Sequence, residues 1–86
     1  MKKYIIIAEN RKIDRDGNSY HDVLLLDMDG EAISSQVKVY GYGSHYLQTA
    51  SDMINKHEGN NNTSYGNIRD TSVIIFRHGR DTQVIK

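Results

Sequence analysis

Hydrophobic residues along this chain fall into short β-branched runs separated by polar turns, with one stretch of helical spacing between them. Lys3 to Ala8 carries Ile5-Ile6-Ile7 and reads as a strand. Asp14-Arg15-Asp16-Gly17-Asn18-Ser19 is dense in turn formers and closes a hairpin. Tyr20 to Leu26, with Val23-Leu24-Leu25-Leu26, reads as a second strand. Asp27-Met28-Asp29-Gly30 follows as a turn of the type I′ kind, since Asp-Gly readily takes positive φ. From Glu31 to Tyr40 the pattern has period two. Ile33, Ser35, Val37 and Val39 point one way, and Ser34, Gln36, Lys38 and Tyr40 the other.

Gly41-Tyr42-Gly43 interrupts this pattern, and Ser44 offers an N-cap hydroxyl. A helix is predicted from there to His57 or Glu58, with Leu47, Ala50, Ile54 and His57 on one stripe and Gly59 ending it. Residues 59–67 are polar and aperiodic and read as a surface loop. Ser72 to Arg77 forms a fourth strand. His78-Gly79-Arg80-Asp81 turns the chain, and Thr82 to Ile85 supplies a short fifth strand. The expected fold is α+β: an antiparallel sheet of four to five strands with one helix on one face, in the order β-β-β-α-β-β. Residues 1–86 form a single domain.

Three strands are apolar toward both faces: Ile5-Ile6-Ile7, Val23-Leu24-Leu25-Leu26 and Val73-Ile74-Ile75-Phe76. One helix covers one face only, so the other needs a cover. A second copy of the chain, giving a homodimer through the helix-free sheet face, is one solution. A strongly curled, barrel-like sheet that covers itself is the other.

Composition narrows the chemistry. The chain has 86 residues, eleven basic and eleven acidic side chains, and no Cys, Pro or Trp. Without Cys there are no disulfides, thiolate metal sites or Cys nucleophiles. The apolar run after Met1-Lys2-Lys3 is too short for a signal peptide, and nothing approaches a membrane span, so a cytoplasmic protein without membrane contact is expected. Two Asp/Gly-rich turns resemble fragments of calcium loops. Counting from Gly17 or Gly30, however, the first and twelfth ligand positions fall on Lys12 and Val23, or on Leu25 and Gln36. His21, His45, His57 and His78 show no metal-ligand spacing, and no nucleophile–base set is legible. Neither an enzyme nor a cofactor or metal site is expected.

The most distinctive segment is Tyr40-Gly41-Tyr42-Gly43-Ser44-His45-Tyr46. Tyr gives large amphipathic contact area at low entropic cost, so Tyr40, Tyr42 and Tyr46, with His45, form a candidate partner-binding edge. Gly41, Gly43 and Ser44 at a helix start form a candidate anion site for a phosphate-bearing nucleotide, although the segment lacks both the dinucleotide and the P-loop pattern. Arg69, Arg77 and Arg80 are candidate nucleic-acid contacts, set against interleaved Asp70 and Asp81 and zero net charge. In size, Cys-poor composition and α+β layout over its whole length, the chain resembles small phage- or mobile-element-encoded accessory proteins of the anti-CRISPR and anti-defence inhibitor type. That resemblance implies stoichiometric binding to a larger protein, such as a bacterial defence complex, and carries no residue roles with it.

Overall fold

The computed structural model describes residues 2–10, 20–41, 45–78 and 81–85. Its elements are β1 (Tyr4–Asn10), β2 (Tyr20–Asp27), β3 (Ala32–Tyr40), α1 (His45–Glu58), α2 (Ile68–Thr71), β4 (Ser72–His78) and β5 (Asp81–Ile85). They build a small α+β domain with one main helix on a sheet ordered β3-β2-β1-β4-β5. No described helix is long and apolar enough to cross a membrane.

The sheet is mixed, which corrects the expected antiparallel arrangement. β1 runs antiparallel to β2 but parallel to β4, with Ile6 level with Ile74 and Ala8 with Phe76. The cause is the crossover. α1 has 14 residues, about 21 Å at 1.5 Å per residue. It thus spans about the length of a seven-residue strand, near 23 Å. The chain leaves β3 at one end and returns along α1 to the end where β1 began. The order of elements also departs from expectation, because the short α2 precedes β4.

Burial alternates where the sequence does not. On one face Tyr4, Ile6, Ala8, His21, Val23, Leu25, Ser72 and Ile74 are buried. Their neighbours Ile5, Ile7, Leu24, Leu26, Val73 and Ile75 are only half-buried. α1 lays Tyr46, Leu47, Ala50, Met53 and Ile54 onto the buried face, while His57 is exposed and leaves the expected stripe. Full burial of a Leu or Ile side chain contributes about 1.5–3 kcal/mol, so Leu47 and Ile54 anchor the helix. Its C-terminus is closed by Gly59 at φ 73°, with the Asn60 N–H donating to the Asn55 carbonyl at 3.1 Å. Tyr4 Oη donates to the Glu58 carboxylate, tying the central strand to the helix end. Burial, reinforced by that carboxylate, pushes the Tyr4 phenol up to about 12.

The Asp27 N–H donates to the Glu31 carbonyl at 2.9 Å, which leaves three residues, Met28 to Gly30, in the loop where a type I′ turn has two. The Gly30 N–H donates to the Asp27 carbonyl at 3.1 Å, and Gly30 takes φ 87°. Asp27 Oδ1 accepts from the Asp29 and Glu31 N–H groups, each at 2.9 Å. Residues 59–67 are held by asparagines. Asn55 accepts from the Thr63 N–H at 2.9 Å and donates to its carbonyl at 2.8 Å. Asn67 Oδ1 accepts from the Ser64 N–H at 2.8 Å. This scaffold delivers Ile68 into the core, where it is fully buried. Ile68→Ala is therefore expected to cost about 2–5 kcal/mol in chemical denaturation, as for a core position. A loss within about 0.5 kcal/mol, the usual size for an exposed loop residue, would remove Ile68 from the core.

Candidate functional site

The strand-to-helix corner divides the expected Tyr edge among different environments. Val39 pairs with buried His21 and faces α1, so Tyr40 points to the opposite side of the sheet. There Tyr40 lies level with Tyr20, ring centroids 5.9 Å apart and edge-on at 71°. It remains 54% exposed. His45 is exposed on the α1 side. Tyr46 is not a surface residue. It is 6% exposed and stacks on Phe76 at 4.5 Å, because its position on α1 faces the sheet. Tyr42 lies outside the described residues, as do Gly43, Ser44 and Arg80.

Gly41 has a steric reason to be glycine. A Cβ there would meet the His45 ring at 2.6 Å. The backbone of Gly41 thus packs against an imidazole at the beginning of α1, and its role in the described residues is close approach. Arg69 and Arg77 are not brought together. Arg69 is exposed on α2, and Arg77 stands five residues along β4 from Ser72, about 17 Å at 3.3 Å per residue.

Beside the corner on the α1 face lies a cleft of about 310 Å³ lined by Gln36, Val39, His45, Thr49, Asp52, Met53 and Lys56. Thr49, which lines it, belongs to a buried polar pair with His21 that the sequence analysis does not single out. His21 is 1% exposed, and its Nε2 lies 2.8 Å from Thr49 Oγ1. The His45 ring is 5.5 Å from it. The signal was present: His21 keeps the i, i+2, i+4 phase of Val23 and Leu25. Burial lowers the His21 pKa below its ordinary 6.5, and the neighbouring His45 lowers it further against the opposing pull of Asp22. Among the described residues, no three His, Cys, Asp or Glu side chains converge to hold a metal.

Across the sheet edge, β3 carries an irregularity. The register shifts between His21 and Val23, and Lys38 takes φ 54°. The Lys38 N–H donates to Asp22 Oδ1 at 2.7 Å, so that carboxylate fills the gap the bulge opens in the ladder. The Lys38 ammonium lies 5.7 Å from the Tyr20 ring centroid. Val37, in the same bulge, is 67% exposed. The result is an exposed aromatic and aliphatic corner, Val37 and Tyr40, with Tyr20 packed against the Tyr40 ring. Comparison with protein-family models, curated proteins and solved structures found no match for this chain.

The buried imidazole makes stability depend on pH. With its folded pKa below 6.5, His21 takes a proton more readily in the unfolded chain. Its contribution is fully present above about pH 6.5 and is lost as pH falls through the lowered folded value. Melting temperature is therefore expected to fall on mild acidification. Glu58, held down from 4.5 chiefly by the Tyr4 hydroxyl, adds its own loss only at more acidic pH. His21→Asn should flatten the first fall. A His21 ring resonance titrating at or above 6.5 would contradict this account.

Proposed function

We propose that this chain is a non-catalytic binding protein that acts by occupying the surface of a larger protein, with Tyr40 as its anchor. The supporting observation is the exposed corner of β3: a 54% exposed Tyr40 braced edge-on by Tyr20, beside a 67% exposed Val37. A braced aromatic ring loses little entropy when it enters a pocket, which is why such residues dominate binding energy at interfaces. Lys38 places a positive charge over the Tyr20 ring that braces Tyr40. A bacterial defence complex is the target class implied by the resemblance to small phage-encoded inhibitors, and inhibition by stoichiometric occupation follows from that class.

The experiment is a tagged pull-down with two tyrosine variants. Tyr40→Ala is expected to weaken capture of the partner by about 2 kcal/mol or more, roughly thirtyfold, while folding stability changes little. Tyr46→Ala removes a buried stacked ring and is expected to cost about 3–5 kcal/mol of folding stability. Equal capture by wild type and Tyr40→Ala would discard the corner as the contact surface.

A further inference from the structure

We infer that the end of β3 beyond its bulge, Val39 to Gly41, is a flap over the His21–His45 pair that opens when His21 takes a proton. The bulge isolates this end from the rest of the strand. The ladder joins Val23 to Gln36, and it resumes only at His21 with Val39 and Tyr20 with Tyr40. Between these rungs Val37 and Lys38 have no partner in the β2 register. Lys38 takes φ 54°, and its N–H goes to Asp22 Oδ1 rather than to the ladder. A left-handed lysine between two stretches of ladder is a ready hinge.

Little apolar burial holds the flap. Val39 and Gly41 are half-buried and Tyr40 is exposed. Its opening therefore takes no fully buried side chain out of the core, whereas lifting the first turn of α1 would expose Tyr46 and Leu47. What the flap covers is polar. Val39 lies level with His21, and Gly41 packs against the His45 ring. Those two imidazoles stand 5.5 Å apart, with Thr49 Oγ1 2.8 Å from His21 Nε2. Val39, His45 and Thr49 also line the cleft beside the corner, so the flap borders an open cavity along one side.

While the flap is closed, a proton on His21 is opposed. The ring is buried, so charging it there takes a cation out of water. Among the described residues, α1 presents it with Thr49 and with His45, whose own proton would set two like charges together. Asp52 and Lys56, of opposite sign, stand one and two turns beyond Thr49 on that helix. Val39 on β3 and Asn10 on β1, level with His21, carry no charge. The flanking charges are Asp22 on β2, Glu9 level with it on β1, and Lys38 on β3, whose ammonium lies over the Tyr20 ring. Asp22 favours the proton, but its Oδ1 is already engaged by the Lys38 N–H. Opening the flap returns His21 to water, where it charges at its ordinary value of about 6.5. Below that pH, each unit raises the open fraction about tenfold, until the closed ring itself begins to charge. The flap carries Tyr40, but the opening is read on the chain alone and does not require Tyr40 to be an anchor.

Amide hydrogen exchange of the whole chain, followed by NMR from about pH 7.5 to about pH 5.5 and corrected for the intrinsic exchange rate, tests it. Antiparallel rungs alternate, so one amide of the pair Val39 and Tyr40 bonds to β2 and serves as the probe. Its opening is expected to be insensitive to low denaturant, unlike that of the Ile6, Leu25 and Ile74 amides, because it exposes little surface. Its open fraction should rise about tenfold from about pH 6.5 to about pH 5.5, and His21→Asn should abolish the rise. If His21→Asn fails to fold, His45→Asn, at an exposed position, decides: with the like charge gone, the rise should level off at higher pH. A probe amide that opens only together with the core amides in denaturant overturns the inference. So does an open fraction indifferent to pH, a rise that survives His21→Asn, or a His45→Asn curve identical to wild type.

Discussion

One crossover governs this structure: a single helix, as long as the sheet is tall, must carry the chain from the end of β3 back to the end where β1 began. The meander leaves β1 and β3 pointing the same way and β2 opposite. A length-matched helix then returns β4 in the direction of β1 and β3. Antiparallel docking would require a place beside β2, and both sides of β2 are taken. A parallel pair is therefore forced by the element order. β1 is the better neighbour because its ladder edge is flanked by Ile6 and Ala8 on the helix side, where Ile74 joins the core.

The same crossover explains which apolar residues are buried. Sequence runs such as Ile5-Ile6-Ile7 show that both faces of a strand are apolar but not which one the helix takes. The choice follows from register with residues elsewhere in the chain. Ile6, Leu25 and Ile74 share a rung, and α1 closes over it. The strands, the main helix and its glycine stop were legible because each is a local pattern. α2 was not, since four residues carry no period. Its one apolar side chain, Ile68, is positioned by asparagines whose partners lie up to eight residues away. His21 was hidden differently. A histidine reads as surface unless its strand phase is taken seriously, and here Thr49 on α1 supplies the partner that allows its burial.

The segment from Tyr40 to Tyr46 shows how far adjacency misleads at a strand-to-helix corner. Alternation sends Val39 and Tyr40 to opposite faces, and the helical phase then turns His45 outward and Tyr46 inward. A cluster of tyrosines in sequence becomes one braced surface ring and one core ring. Residue type marked them alike as contact-makers, whereas the structure packs Tyr46 on Phe76 in the core and sets Tyr40 against Tyr20 at the surface.

The sheet offers two ways to associate, by edge and by face, and the structure treats them unequally. β3 is the long outer strand, and long outer strands invite pairing with another chain. Here the bulge at Lys38, its left-handed backbone and the Asp22 carboxylate turned into the ladder interrupt that edge midway. Such devices oppose strand addition. No comparable charge stands among Ile5, Ile7, Leu24, Leu26, Val73 and Ile75 on the helix-free face. The edge is guarded against strand addition, whereas that face carries half-buried apolar side chains. Side-chain packing on such a face selects for shape, whereas an open edge accepts any extended strand.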